Sequence, residues 1–81
     1  MTQSEAKAIV KAKYPRAACF WYSWQGGFAV RSYRCGEPIT NMGEPGLMQF
    51  KWRPVIFPTR AKAWAGAAEA VKNGTEGDLP K

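Results

Sequence analysis

Apolar residues Ala6, Ile9 and Val10 recur at helical spacing near the start of the chain, with Lys7, Lys11 and Lys13 around them. Thr2 and Glu5 have the spacing of a capping box, and Tyr14-Pro15 closes the segment because a residue before proline disfavours helix. A first helix is predicted between these signals. From Cys19 the period changes to that of strands. Cys19–Trp24 and Phe28–Cys35 are aromatic and β-branched runs separated by Gln25-Gly26-Gly27, a hairpin signal. With Gly26-Gly27 as a two-residue loop, one face carries Phe20, Tyr22, Trp24, Ala29, Arg31 and Tyr33. The other carries Cys19, Trp21, Phe28 and Val30. Neither face is polar, so one packs on helices and the other shows aromatics to solvent or to a partner.

Residues 36–49 read as a loop with two Gly-Glu-Pro echoes, and Phe50–Phe57 as a third strand, at the edge because Pro54 lacks an N–H. Thr59 then caps a second helix, Arg60 to Lys72, which Gly74 ends. Trp64, Ala67, Ala68 and Val71 form its apolar stripe. The expected fold class is α+β: helix, three-stranded antiparallel sheet, helix, with both helices on one face of the sheet. Residues 1–74 form a single domain and 75–81 a flexible tail.

A chain of 81 residues can bury only a modest core, so large side chains must supply it. Four Trp, four Phe and three Tyr suit that need. Charge changes the picture further. The net charge is +6, and residues 1–72 hold eleven basic and four acidic side chains. Such a surface attracts nucleic acid, anionic lipid or an acidic protein. Ten of the eleven aromatics lie between Phe20 and Trp64, interleaved with Arg31, Arg34, Lys51, Arg53, Arg60 and Lys62. Aromatic faces stack on bases and cations hold phosphates, so the mixture can serve as a nucleic-acid surface.

Chemistry is sparse. Without histidine there is no Ser-His-Asp or Cys-His arrangement, and two cysteines alone cannot make a tetrahedral zinc site. The carboxylates are scattered over caps, turns and the tail. The expectation is a non-enzymatic protein with no cofactor, no metal and no small-molecule substrate. No segment has the apolar length of a signal peptide or membrane span, so a cytoplasmic location is expected. A three-residue turn centred on Gly27 would set Cys19 opposite Cys35, within disulfide reach, although a cytosol would keep both reduced.

The junction Phe57-Pro58-Thr59-Arg60-Ala61-Lys62-Ala63 resembles that of small three-stranded DNA-binding domains, the arm-binding domains of phage integrases. The hairpin from Trp24 to Arg34 is similar to their opening strands. That resemblance implies a sheet lying in the major groove, with Arg31, Tyr33, Lys51 and Arg53 as readers of base edges. The element order is also similar to double-stranded RNA-binding domains, although the histidine-bearing loop of that family has no counterpart. In size and tryptophan content the chain looks like small bacteriophage accessory proteins, including anti-CRISPR and other host-takeover inhibitors.

The expected function is nucleic-acid binding, in a bacterial host and encoded by a phage or mobile element. The expected contact residues are Tyr22, Trp24, Arg31, Tyr33, Arg34, Lys51, Arg53, Arg60 and Lys62. The alternative is an inhibitor that occludes a nucleic-acid-processing host protein through the same aromatic and arginine surface.

Overall fold

Helix α1 spans Gln3–Lys13 and starts where the capping signal places it. The Glu5 N–H donates to Thr2 Oγ1 at 3.2 Å, and the Thr2 N–H donates back to Glu5 Oε1 at 3.4 Å. Two orphan amides of the first turn are thereby satisfied. Ala6 and Val10 are buried, as the periodicity requires. The structure, a computed structural model, describes residues 2–45, 52–76 and 79.

Strands β1 (Ala18–Tyr22) and β2 (Gly27–Arg31) pair antiparallel, with Tyr22 opposite Gly27 and Ala18 opposite Arg31. The loop is Ser23–Gly26, four residues rather than two, and its left-handed position is Gly26 (φ 69°). Gly27 is reserved for another task. A Cβ there would fall 2.1 Å from Ile56 Cγ2 and 2.8 Å from the Phe57 carbonyl oxygen. Only glycine lets that segment lie against the hairpin. The change of loop moves each partner by four residues, an even number, so face membership is preserved. Cys19 pairs with Val30 instead of Cys35, and both cysteines are free thiols.

The expected three-stranded sheet is not found among the described residues. Two separate two-stranded sheets are present, β1 with β2 and β3 (Asn41–Pro45) with β4 (Trp52–Pro54). Part of the segment read as a loop is therefore strand β3. What remains of the third strand beside β2 is one rung: Phe28 and Phe57 exchange N–H···O bonds of 2.7 and 2.8 Å. The next hydrogen-bonded rung in this register would pair Val30 with Val55, and both are engaged elsewhere. Just before Phe57 the chain turns to the other sheet, where the Val55 N–H donates to the Thr40 carbonyl at 2.9 Å. The Ile39 N–H donates to Val30 at 2.8 Å, so residues 38–39 occupy more of the same edge of β2.

Helix α2 spans Arg60–Asn73. Thr59 caps it, accepting from the Lys62 N–H at 3.1 Å, and Gly74 ends it in the left-handed region (φ 68°). Ala63, Trp64, Ala67, Ala68 and Ala70 are buried, and α2 packs on both α1 and β2. The small residues set the distance. A Cβ on Gly66 would sit 2.3 Å from Phe57 Cζ, so the ring of Phe57 rests on the helix backbone. The core joins Val10, Tyr14, Val30, Ile39 and Trp64 to the alanines of both helices, with Cys19, Phe28 and Phe57 packed at its margin.

Glu76 and Leu79 are buried. Glu76 pairs with Lys13 and accepts from the Tyr14 hydroxyl at 3.4 Å, while its backbone carbonyl accepts from Asn41 Nδ2 at 2.8 Å. A charge so buried is tolerable because it is paired. No helix among the described residues is long and apolar enough to cross a membrane.

Candidate functional site

The eight nominated residues that are described do not form one surface. Tyr22 and Arg31 are in contact, but they serve the fold. Tyr22 is 4% exposed and its neighbour Ala29 is fully buried, so this face of the hairpin is not open. Arg31 lies over Phe20 (4.7 Å to the ring centroid) and Tyr22 (5.1 Å). Its Nε donates to the Tyr22 hydroxyl at 3.0 Å and its Nη1 to the Arg34 carbonyl at 3.0 Å. Burial pushes the Tyr22 hydroxyl above its ordinary pKa, with the hydrogen bond and charge of Arg31 pulling against it. Arg31 thus satisfies a buried phenol and closes a turn. It is not poised to read a groove.

Tyr33 and Arg34 lie in the turn that follows β2, at the end of the hairpin remote from its loop. Five-residue strands separate those ends by roughly 13 Å. Tyr33 is half-buried beneath Arg16, 5.9 Å from its ring. Gly36 backs onto the same ring, where a Cβ would lie 2.6 Å away. Arg53 is an exposed residue of β4, and Lys51 lies outside the described residues.

Two nominated groups lie on adjoining parts of the fold, the loop end of the hairpin and the start of α2, which meet where Arg60 covers Phe28. Trp24 stands in the Ser23–Gly26 loop and is 80% exposed. Arg60 lies 5.2 Å over the ring of Phe28, and Lys62 follows it on the exposed first turn of α2. The link between them is Trp21, which was not nominated. It is 55% exposed and meets Phe28 edge-on, with centroids 5.0 Å apart and an interplanar angle of 66°. Phe28 is therefore a shared floor, with Trp21 against its edge and Arg60 over its face.

Lys7 of α1 adds a third cation on this side. Its ammonium sits 5.5 Å over Trp64. Burial raises the pKa of the Cys19 thiol, and the nearby positive charges of Arg60 and Lys7 partly oppose that. Both cations thus act on the hairpin face that carries Cys19, Trp21 and Phe28. A signal for Trp21 was present in the chain. The alternation puts it on the helix-facing side, but one rung from the loop, where a helix of alanines starting at Arg60 is too slim to cover an indole. Glu37 accepts from the Trp52 N–H at 3.2 Å and so joins the second sheet to the 36–40 segment.

Compared with protein-family models, curated proteins and solved structures, the chain matches none of them.

Proposed function

We propose that this chain is a non-enzymatic nucleic-acid-binding protein whose contact surface is the loop end of the β1–β2 hairpin together with the start of α2. One observation carries the reading: Trp21 stands open to solvent against Phe28, whose ring Arg60 covers, and Trp24 is exposed in the adjoining hairpin loop. Large exposed aromatics lose free energy in water and recover it by stacking, and a polyanion satisfies the cations at the same time. Compared with the nine residues suggested by sequence, the surface gains Trp21, Phe28 and Lys7. It gives up Tyr22 and Arg31 to the fold and leaves out Tyr33, Arg34 and Arg53, which lie elsewhere, and Lys51, which is outside the described residues.

A salt-titrated mobility shift on mixed-sequence DNA and RNA tests this. Three phosphate contacts weaken binding roughly fifteen- to fortyfold between about 50 and 200 mM salt. The double reversal Arg60→Glu with Lys62→Glu abolishes the shift and leaves the far-UV circular dichroism unchanged, since both side chains are exposed. A shift that survives the reversal refutes the assignment.

One observation favours the second reading, an inhibitor that covers a host protein. Met42 is 59% exposed on β3, and a flexible thioether suits a protein interface better than a phosphate backbone. No shift at low salt, with a stoichiometric protein captured from host lysate and lost on Met42→Ser, selects that reading instead.

A further inference from the structure

We infer that the ligand of this surface is an unpaired polynucleotide strand, with bases stacked on Trp21 and Trp24 and phosphates along Arg60 and Lys62. The inference rests on the nucleic-acid reading above and adds the class of nucleic acid.

In a duplex the faces of the bases are hidden in the stack, and only their edges reach the grooves. An indole plane can use a base face only where the base is unstacked. Trp24 and Trp21, at 80% and 55% exposure, offer such planes. Trp21 is held edge-on by Phe28 at 5.0 Å, so little side-chain freedom remains to be lost on stacking.

The groups that groove reading would need are engaged elsewhere. Arg31 would have to extend from the sheet to reach G O6 and N7. Its guanidinium is folded onto Phe20 and Tyr22 and hydrogen-bonded to the Tyr22 hydroxyl and the Arg34 carbonyl. Tyr22 and Ala29, on the same face, are buried. A sheet with that face closed does not enter a major groove as the integrase-type arrangement would.

Spacing agrees with a single strand. Trp24 follows Trp21 by three positions, so their Cα atoms are at most about 11 Å apart. Stacked nucleotides rise about 3.4 Å along a strand, so a run of two to four nucleotides covers both indoles. Arg60 reaches the Trp21 end of the platform through Phe28, and Lys62 is a second exposed cation in the first turn of α2. Bases toward the indoles and phosphates toward α2 is the arrangement that a positive groove with aromatic steps imposes on a single strand.

The test is fluorescence anisotropy at low salt with labelled oligothymidylate, alone and annealed to oligoadenylate. The single strand binds more tightly than the duplex. Trp24→Ala weakens single-strand binding roughly five- to a hundred-and-fiftyfold, and Trp24→Tyr restores most of it. The thermal midpoint of Trp24→Ala matches the parent, because the side chain packs on little. Equal or tighter duplex binding, or a single-strand affinity that ignores Trp24→Ala, overturns the inference and leaves nucleic-acid binding standing. No binding to either probe overturns both.

Discussion

Gly66→Ala is the sharpest test of how the site is held. In an exposed helix interior this change stabilises by about 0.8–1 kcal/mol, because alanine is the better helix former. Here the new methyl would lie 2.3, 2.8 and 2.9 Å from Cζ, Cε1 and Cε2 of Phe57, the first more than 1 Å short of ordinary contact. All three tip atoms of the ring crowd the same point, so turning the ring gives no relief. Moving it is difficult too, since the Phe57 backbone is hydrogen-bonded in both directions to Phe28. Overpacking of this kind costs about 1–3 kcal/mol, and the pinned ring puts Gly66 in the upper half of that range. The net effect is a destabilisation of about 1–2 kcal/mol, or a fall of roughly 5–15 °C in Tm for a domain of this size. Leucine has no atoms where Cε and Cζ of phenylalanine stand. In a Phe57→Leu background the same glycine change therefore stabilises, by about 1 kcal/mol. Urea unfolding followed by circular dichroism on the four proteins measures the coupling as a double-mutant cycle. Stabilisation by Gly66→Ala in the parent background would refute the close approach of α2 to Phe57. That approach matters to the proposed surface, because the Phe28–Phe57 rung and the helix start carrying Arg60 adjoin it.

Trp64→Ala costs about 3–5 kcal/mol by urea unfolding, since the indole is buried between the helices; a loss below 1 kcal/mol places it at the surface. Alkaline pH destabilises the fold. Burial raises the pKa of the Cys19 thiol above its ordinary 9.0 and of the Tyr14 and Tyr22 hydroxyls above 10.0, and the hydrogen bond to Glu76 raises Lys13 above 10.5. In each case the native state holds its proton longer than the unfolded chain does. The stabilisation is complete below the ordinary values and drains away as pH rises through the higher native ones. Tm is accordingly flat toward neutrality and falls above pH of about 9, and a Tm that climbs between pH 9 and 11 contradicts these assignments.

Local chemistry decided much of this protein. Thr2 with Glu5, Thr59 and Gly74 mark both helices because a cap satisfies backbone groups within a few residues of itself, and such interactions are written in the chain. The alternation of the hairpin sorted its side chains into the right two faces even with the wrong loop, because an even shift of register leaves faces intact. Tertiary structure decided the remainder. Whether Gly27 turns the chain or makes room for Ile56 and Phe57 depends on residues thirty positions away. The third strand exists as a single rung because residues 41–45 compete for β4, and a pairing competition across a long connection leaves no periodic trace. Burial of Glu76 depends on a distant lysine and tyrosine brought together by the packing of α1. The same holds for the candidate site. Composition identified a basic, aromatic surface, but an arginine that faces solvent and one folded over two rings are the same letter. Only the packing that buries Tyr22 and leaves Trp21 exposed separates Arg31, which serves the fold, from Arg60, which covers the Phe28 ring that Trp21 meets.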